Sequence, residues 1–115
     1  MWPRDERLAL EHMLDYAKGA IEATSTRRRE DLDSDWQLRL ALTKAVEIVG
    51  EAANRVSKET QARFPGIPWR EAITTRNRLS HGYDTVDLDQ LWDTVTNDLP
   101  PLVPALERAL SELGA

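Results

Sequence analysis

WQLRLALTKAVEIVGEAANRVSKETQA, residues 36–62, is the stretch on which the fold turns. Two apolar stripes compete in it. Trp36, Leu40, Thr43, Val46 and Val49 form one, but the adjacent pair Ile48–Val49 fits a second better: Leu38, Leu42, Val46, Val49, Ala53 and Val56. These recur every three to four positions, the period of an amphipathic helix with one buried face. The spacing predicts a helix of about 26 residues, roughly 40 Å at 1.5 Å per residue, reaching about Ala62. Asp33 or Asp35, in the polar run DLDSDW at 31–36, supplies the helix-capping carboxylate. Gly50, Ala52 and Ala53 lie mid-helix and are small enough for another helix to approach closely. Such a length points to a helical hairpin or an oligomeric interface.

Working outward, the same period continues. Residues from about Arg4 to Thr24 place Leu8, Met13, Leu14, Ala17 and Ile21 on a helical repeat, with Pro3 where a first-turn proline is tolerated. FPGIP at 64–68 is a turn that ends the long helix, and Pro68 is placed to open a third carrying Trp69, Ala72 and Ile73. That helix reaches the Arg76–His81 region, with Gly82 as its stop. Asp87 followed by Gln90 has the spacing of a capping box and opens a fourth helix through Leu88, Leu91, Trp92 and Val95. Pro100–Pro101 ends or kinks it, and a last segment to about Leu113 presents Leu102, Val103, Leu106 and Leu110. Trp69 and Trp92 are expected as core or interface anchors. No stretch has the two-residue alternation of a sheet. The expectation is one all-α domain over residues 1–115, a bundle of four to five helices.

Composition narrows the function classes. The 115 residues hold 41% apolar and 30% charged side chains, a globular balance. No apolar run approaches the ~20 residues of a membrane span, and the first residues lack the order of a secretory signal. With no cysteine there are no disulfides and no thiolate metal sites, which fits a reducing, cytoplasmic setting. The net charge of -5 argues against a protein that coats nucleic acid. The charge is uneven: residues 1–80 hold 14 Lys/Arg against 13 Asp/Glu, whereas residues 81–115 hold 1 against 7. Arg27, Arg28 and Arg29 form a local basic cluster, read either as a solvated helix end or as a contact to a nucleic-acid backbone.

Chemistry concentrates in RNRLSHGY, Arg76 to Tyr83. The only histidines are His12 and His81, neither in a recognised metal spacing, and no glycine-rich phosphate loop is present. No metal and no cofactor is expected. His12, one turn from Leu8, reads as structural or surface-lying. His81 has Arg76, Asn77, Arg78, Ser80 and Tyr83 for company. Histidine exchanges protons near neutrality, and arginine offers planar, permanently charged donors to a phosphate gathering charge. On one continuous helix Asn77 and His81 share a face, while Arg76 and His81 diverge by about 140° at ~100° per residue. The two converge only if the helix ends near Ser80 or a second subunit completes the site. By spacing alone, a polar helix end stays open beside catalysis.

The sequence resembles the HEPN superfamily, and within it the HepT-like proteins, the toxins of MntA–HepT toxin–antitoxin pairs. Their pattern is Arg, commonly a polar residue, then His after a spacer of about four to six residues, matched here by Arg76, Asn77 and His81. The HepT branch adds one residue and a tyrosine, matched by Gly82 and Tyr83. The similarity extends through RDERL at 4–8, VGEAANRVS at 49–57, IPWREAITTRNRLSHGY at 67–83 and VDLDQLWDTVTNDLPPL at 86–102. Thr75 departs from it, where relatives often carry Met. The resemblance implies a dimeric helical bundle whose two Arg–His motifs meet in an interface cleft. It implies a metal-independent endoribonuclease leaving a 2′,3′-cyclic phosphate, with His81 as general acid/base, Arg76 stabilising the phosphorane-like state and Asn77 orienting. It implies as partner a minimal nucleotidyltransferase antitoxin of the MntA kind that adds AMP to Tyr83. The alternative is a catalytically inactive HEPN docking or nucleotide-binding subunit of a nucleotidyltransferase complex.

Overall fold

The computed structural model describes residues 4–79 and 86–114, with side chains for 6–74 and 86–114. It is an all-α bundle. The helices are α1 (Arg4–Thr24), α2 (Asp31–Ser34), α3 (Trp36–Arg55), α4 (Lys58–Arg63), α5 (Trp69–Leu79), α6 (Leu88–Asp93) and α7 (Leu102–Gly114). The described residues thus carry seven helices where four to five were expected, because short capped turns interrupt the long segments. α3 is the central element, packed on one side by α1 and on another by α5, while α7 covers α1.

The stripe Leu38, Leu42, Val46, Val49, Ala53 and Val56 is buried throughout, whereas Trp36 and Leu40 of the rival stripe stand 58% and 57% exposed. On α1, Met13 and Ala17 are buried with Ala9, Leu10 and Ala20, while Leu8 is 47% exposed. Leu8 falls outside the stripe because it stands five positions from Met13, about 140° round the axis at ~100° per residue.

The long helix ends at Arg55, not near Ala62. Val56 turns to an extended conformation (φ -77, ψ 130), and Ser57 caps α4 by accepting from the Thr60 amide. Glu6 of α1 holds the break open: its carboxylate accepts the Ser57 N–H at 2.6 Å and the Thr60 hydroxyl. Burial pushes the Glu6 carboxyl up, but the hydrogen bonds from Ser57 and Thr60 more than offset it, leaving the group below its ordinary value of 4.5. A depressed carboxylate pKa stabilises the fold above the unfolded-state value, and that stability is lost as pH falls through the folded one. Glu6→Gln is therefore expected to cost about 1–3 kcal/mol at neutral pH, since an amide cannot accept both donors as an anion does. In chemical denaturation the gap to wild type should narrow as pH drops below the ordinary carboxylate value. A gap unchanged down to acid pH would show that the carboxylate's charge is not what holds the α3–α4 break.

Caps set the remaining boundaries. Asp35, rather than Asp33, caps α3 by accepting from Leu38 N–H at 3.0 Å. That bond, with Arg27 at 3.1 Å, holds its carboxyl below the usual range. Within DLDSDW the chain forms the one-turn α2, which buries Leu32 completely. Asp87 caps α6 at Gln90 N–H, but Gln90 does not reciprocate as a capping box would; its side-chain amide donates to Thr94 at 3.3 Å. α6 runs into a wider π-helical turn, Thr94–Asp98, closed by Leu99 N–H to the Thr94 carbonyl at 2.9 Å. Pro100–Pro101 follow and, lacking amide hydrogens, end it.

Candidate active site

The motif is carried by α5, so its placement depends on what fixes that helix. Three contacts do. Trp69, 8% exposed, begins α5 and donates its indole N–H to the carbonyls of Phe64 (3.0 Å) and Gln61 (3.1 Å). Pro68 immediately precedes the helix, and its carbonyl accepts the first helical bond, from Ala72 N–H at 3.0 Å. Midway along, Gly50 of α3 lies so close that a Cβ there would stand 3.1 Å from the Ala72 carbonyl oxygen and 3.5 Å from that of Ile73. Of the small residues read from the sequence as a helix-approach site, Gly50 is where α5 meets α3.

Gly50 carries an expected outcome of its own. Gly50→Ala gains about 1 kcal/mol in helix propensity, which the tight approach to a backbone carbonyl offsets, so its stability should stay near that of wild type. Gly50→Val adds branched bulk against backbone that cannot swing aside, and is expected to cost about 1–3 kcal/mol and to displace α5. Urea denaturation of the two variants, read beside RNA cleavage, checks this. Equal stability of wild type and Gly50→Val would overturn the close-approach assignment.

Arg76 and Asn77 belong to α5, one turn beyond Ala72 and Ile73 in register. Their side chains, and the whole of His81, Gly82 and Tyr83, lie outside the described residues, as does the expected convergence of Arg76 with His81. Val86, where the described chain resumes, and Leu88, the first residue of α6, pack against the core.

Other candidate positions are settled by their partners. Each arginine of the 27–29 cluster has an acid: Arg27 with Asp35 at 3.1 Å, Arg28 with Glu30 at 3.9 Å, and Arg29 with Asp33 at 3.2 Å and Asp89 at 2.6 Å. Arg29 so links the α1–α2 connection to α6. These pairs place acids beside the cluster, Arg28 remaining largely exposed. His12 is half-buried on α1. Trp69 is a core anchor as expected, and Trp92 packs partly buried against the core. Among the described residues no group of three or more His, Asp or Glu is arranged to hold a metal ion, and no helix is long and apolar enough to cross a membrane. The residue that reading the sequence missed is Glu6. Its only local trace was the Ser57–Thr60 capping pattern it braces, 51 residues away.

With this all-α scaffold and its motif-bearing helix, the chain belongs to the HepT-like ribonuclease family, whose model matches residues 13–109. Among known proteins it is 32% identical over 107 residues to one from Methanocaldococcus jannaschii named as an RNase, covering 93% of this chain and 98% of that one. A Thermococcus cleftensis protein named as a ribonuclease HepT is 38% identical over 79 residues, 69% of this chain and 72% of its own length. A third, named as an RNase in Caldanaerobacter subterraneus, is 30% identical over 103 residues, covering 90% of this chain and 92% of the relative. No solved structure matches the chain.

Proposed function

We propose that this chain, as one domain over residues 1–115, is a metal-independent endoribonuclease toxin that works as a homodimer. The observation that carries the reading is RNRLSHGY, begun on the braced helix α5, in a chain of the HepT-like ribonuclease family. Across a two-fold axis the two copies of the motif face a common cleft, which removes the 140° divergence within one helix. His81 takes the proton of an RNA 2′-hydroxyl as its oxygen bonds to phosphorus. The bond to the 5′-oxygen breaks, and that oxygen is protonated by the second His81 of the dimer. The products are a 2′,3′-cyclic phosphate and a 5′-hydroxyl. Arg76 stabilises the charge gathering on the phosphorane-like state, and Asn77 orients the phosphate or the imidazole.

Tyr83 is the site of control. A partner nucleotidyltransferase of the MntA kind adds AMP to its phenol, bringing bulk and negative charge to a site that must hold an RNA phosphate. The test is intact mass beside an RNase assay. Chain expressed alone should cleave RNA; chain co-expressed with its neighbouring nucleotidyltransferase should gain AMP mass and lose cleavage. Tyr83→Phe should stay unmodified and active under the same co-expression. AMP added elsewhere, or silencing without added mass, would sink the assignment of Tyr83.

A second reading has one observation in its favour: the net charge of -6 over residues 81–115 is unfavourable for drawing RNA to the motif. On that reading the chain is an inactive docking subunit of a nucleotidyltransferase complex. A stable complex with neither cleavage nor mass addition would favour it.

A further inference from the structure

The positive charge of this acidic chain is gathered on one stretch. Residues 51–79, the end of α3 with α4 and α5, hold 6 Lys/Arg against 3 Asp/Glu. Residues 1–50 hold 8 against 10, and residues 81–115 hold 1 against 7. Pairing sharpens the contrast. In residues 6–50 Arg7, Arg27, Arg28 and Arg29 pair with acids, and Arg39 donates to the Leu32 and Asp33 carbonyls. Arg55, Lys58 and Arg70 are exposed, and none has an acid partner among the described residues. Two of the three acids in their stretch, Glu51 and Glu71, are engaged in contacts of their own.

The fold joins this charge to the motif helix. Trp69 gives its indole N–H to the Gln61 and Phe64 carbonyls, fastening the end of α4 to the start of α5. Arg63, exposed and 5.9 Å from the centre of the Phe64 ring, and Arg70 flank that junction. Along α5, Arg70 and Asn77 stand seven positions apart. At ~100° and 1.5 Å per residue they share one side of the helix to within about 20°, about 10 Å apart along its axis. Thr74 lies between them on that side, its hydroxyl donating to the Arg70 carbonyl at 2.8 Å, so no acid of α5 interrupts the row.

An RNA strand carries a negative charge at every nucleotide, and contacts to those phosphates set where the strand lies. A guanidinium with no acid of its own meets a phosphate through two parallel hydrogen bonds. We propose that Arg70, backed by the basic junction of α4 and α5, holds an RNA phosphate beside the scissile one, so that the bound strand runs from the motif back along α5. The inference rests on the nuclease reading for the place of the scissile phosphate. It adds the direction of the strand and the residue that holds it.

The test uses the full chain and a fluorescein-labelled single-stranded RNA with 2′-O-methyl riboses, which lacks the nucleophile and reports binding alone. Fluorescence anisotropy over a range of NaCl concentrations gives the affinity and its salt slope, and cleavage of unmodified RNA is measured on the same samples. Arg70→Ala is expected to weaken binding about tenfold and to lower the salt slope by roughly 0.7, the share of one phosphate on a single strand. In cleavage it should raise KM far more than it lowers kcat, because the contact is the same before and during the reaction. Arg70→Lys should recover part of the affinity, and helicity by circular dichroism should be retained in both. Arg108→Ala removes the same charge from an exposed position on α7 and should leave binding within about twofold of wild type.

Wild-type affinity and slope in Arg70→Ala, an equal loss in Arg108→Ala, or no binding by the wild-type chain overturns the proposal. So does an Arg70→Ala chain that keeps its RNA affinity but no longer co-purifies with the nucleotidyltransferase, which makes the junction a protein contact. Binding that depends on Arg70 without any cleavage rejects the nuclease alone. Cleavage with a wild-type KM in Arg70→Ala rejects the phosphate contact alone.

Discussion

His81→Ala is expected to lower RNA cleavage by about 10²–10⁴-fold, the range that one positioned proton-transfer group supplies. The chain contains one other histidine, His12, half-buried on α1. If His81 serves the chemistry rather than the packing, the loss should come without a fall in thermal stability. Arg76 supplies a complementary measurement. Arg76→Ala should cost about 10²–10³-fold, as removal of one transition-state donor does. Arg76→Lys should recover only part of this, because an ammonium keeps the charge but not the planar fork that meets two phosphate oxygens. Cleavage at wild-type rate by His81→Ala would end the acid–base assignment. A loss accompanied by unfolding would move His81 from chemistry to structure, and the melting curve tells the two apart.

Trp69→Ala has the largest expected effect on stability, about 3–5 kcal/mol, the usual cost of emptying a large aromatic site. For a domain of this size that is a substantial share of the total, which runs about 5–15 kcal/mol. Two contributions combine. The indole body fills the junction of α4, the following turn and α5, and its N–H is shared between the Phe64 and Gln61 carbonyls. Trp69→Phe separates them: it keeps most of the apolar volume and loses the donor, and should cost less than half as much as alanine. Because Trp69 seats the first turn of α5, the alanine variant should also lose cleavage at temperatures where it is still mostly folded. Urea unfolding by circular dichroism measures the first effect, and cleavage normalised to folded fraction measures the second. Equal costs for the Phe and Ala variants would assign the stability to the hydrogen bonds rather than to packing.

Much of the scaffold was legible because it is local. The bounds of α1, the buried stripe of α3 and the capping roles of Asp35 and Asp87 follow from helical period and side-chain-to-backbone hydrogen bonds within a few residues. The motif was legible for a different reason: Arg76, Asn77, His81 and Tyr83 are defined by residue type and spacing, and they lie within the residues 13–109 that the family model matches. The break at Val56 was hidden because the apolar stripe runs right up to it, no glycine or proline marks it, and Val56 itself is buried as the stripe requires. What opens the chain there is a carboxylate from α1, which no window of local sequence contains. The role of Gly50 was legible only in part, since smallness announces a close approach but not which helix makes it. For Arg27–Arg29 the sequence left a solvated helix end beside a nucleic-acid contact, and the structure adds the acids that pair with them, Asp33, Asp35 and Asp89.

By itself, then, the sequence determined where the main helical segments lie, the apolar stripe of α3 and which residues could carry phosphodiester chemistry, because these depend on neighbours within a turn or two. Tertiary structure alone decided that α3 stops at Arg55, that Glu6 braces the stop, that α5 is seated on Gly50 and Trp69, and that acids stand beside the basic cluster. Each of these joins groups far apart in the chain, and their energies exist only once the packed helices have brought those groups within hydrogen-bonding or van der Waals distance.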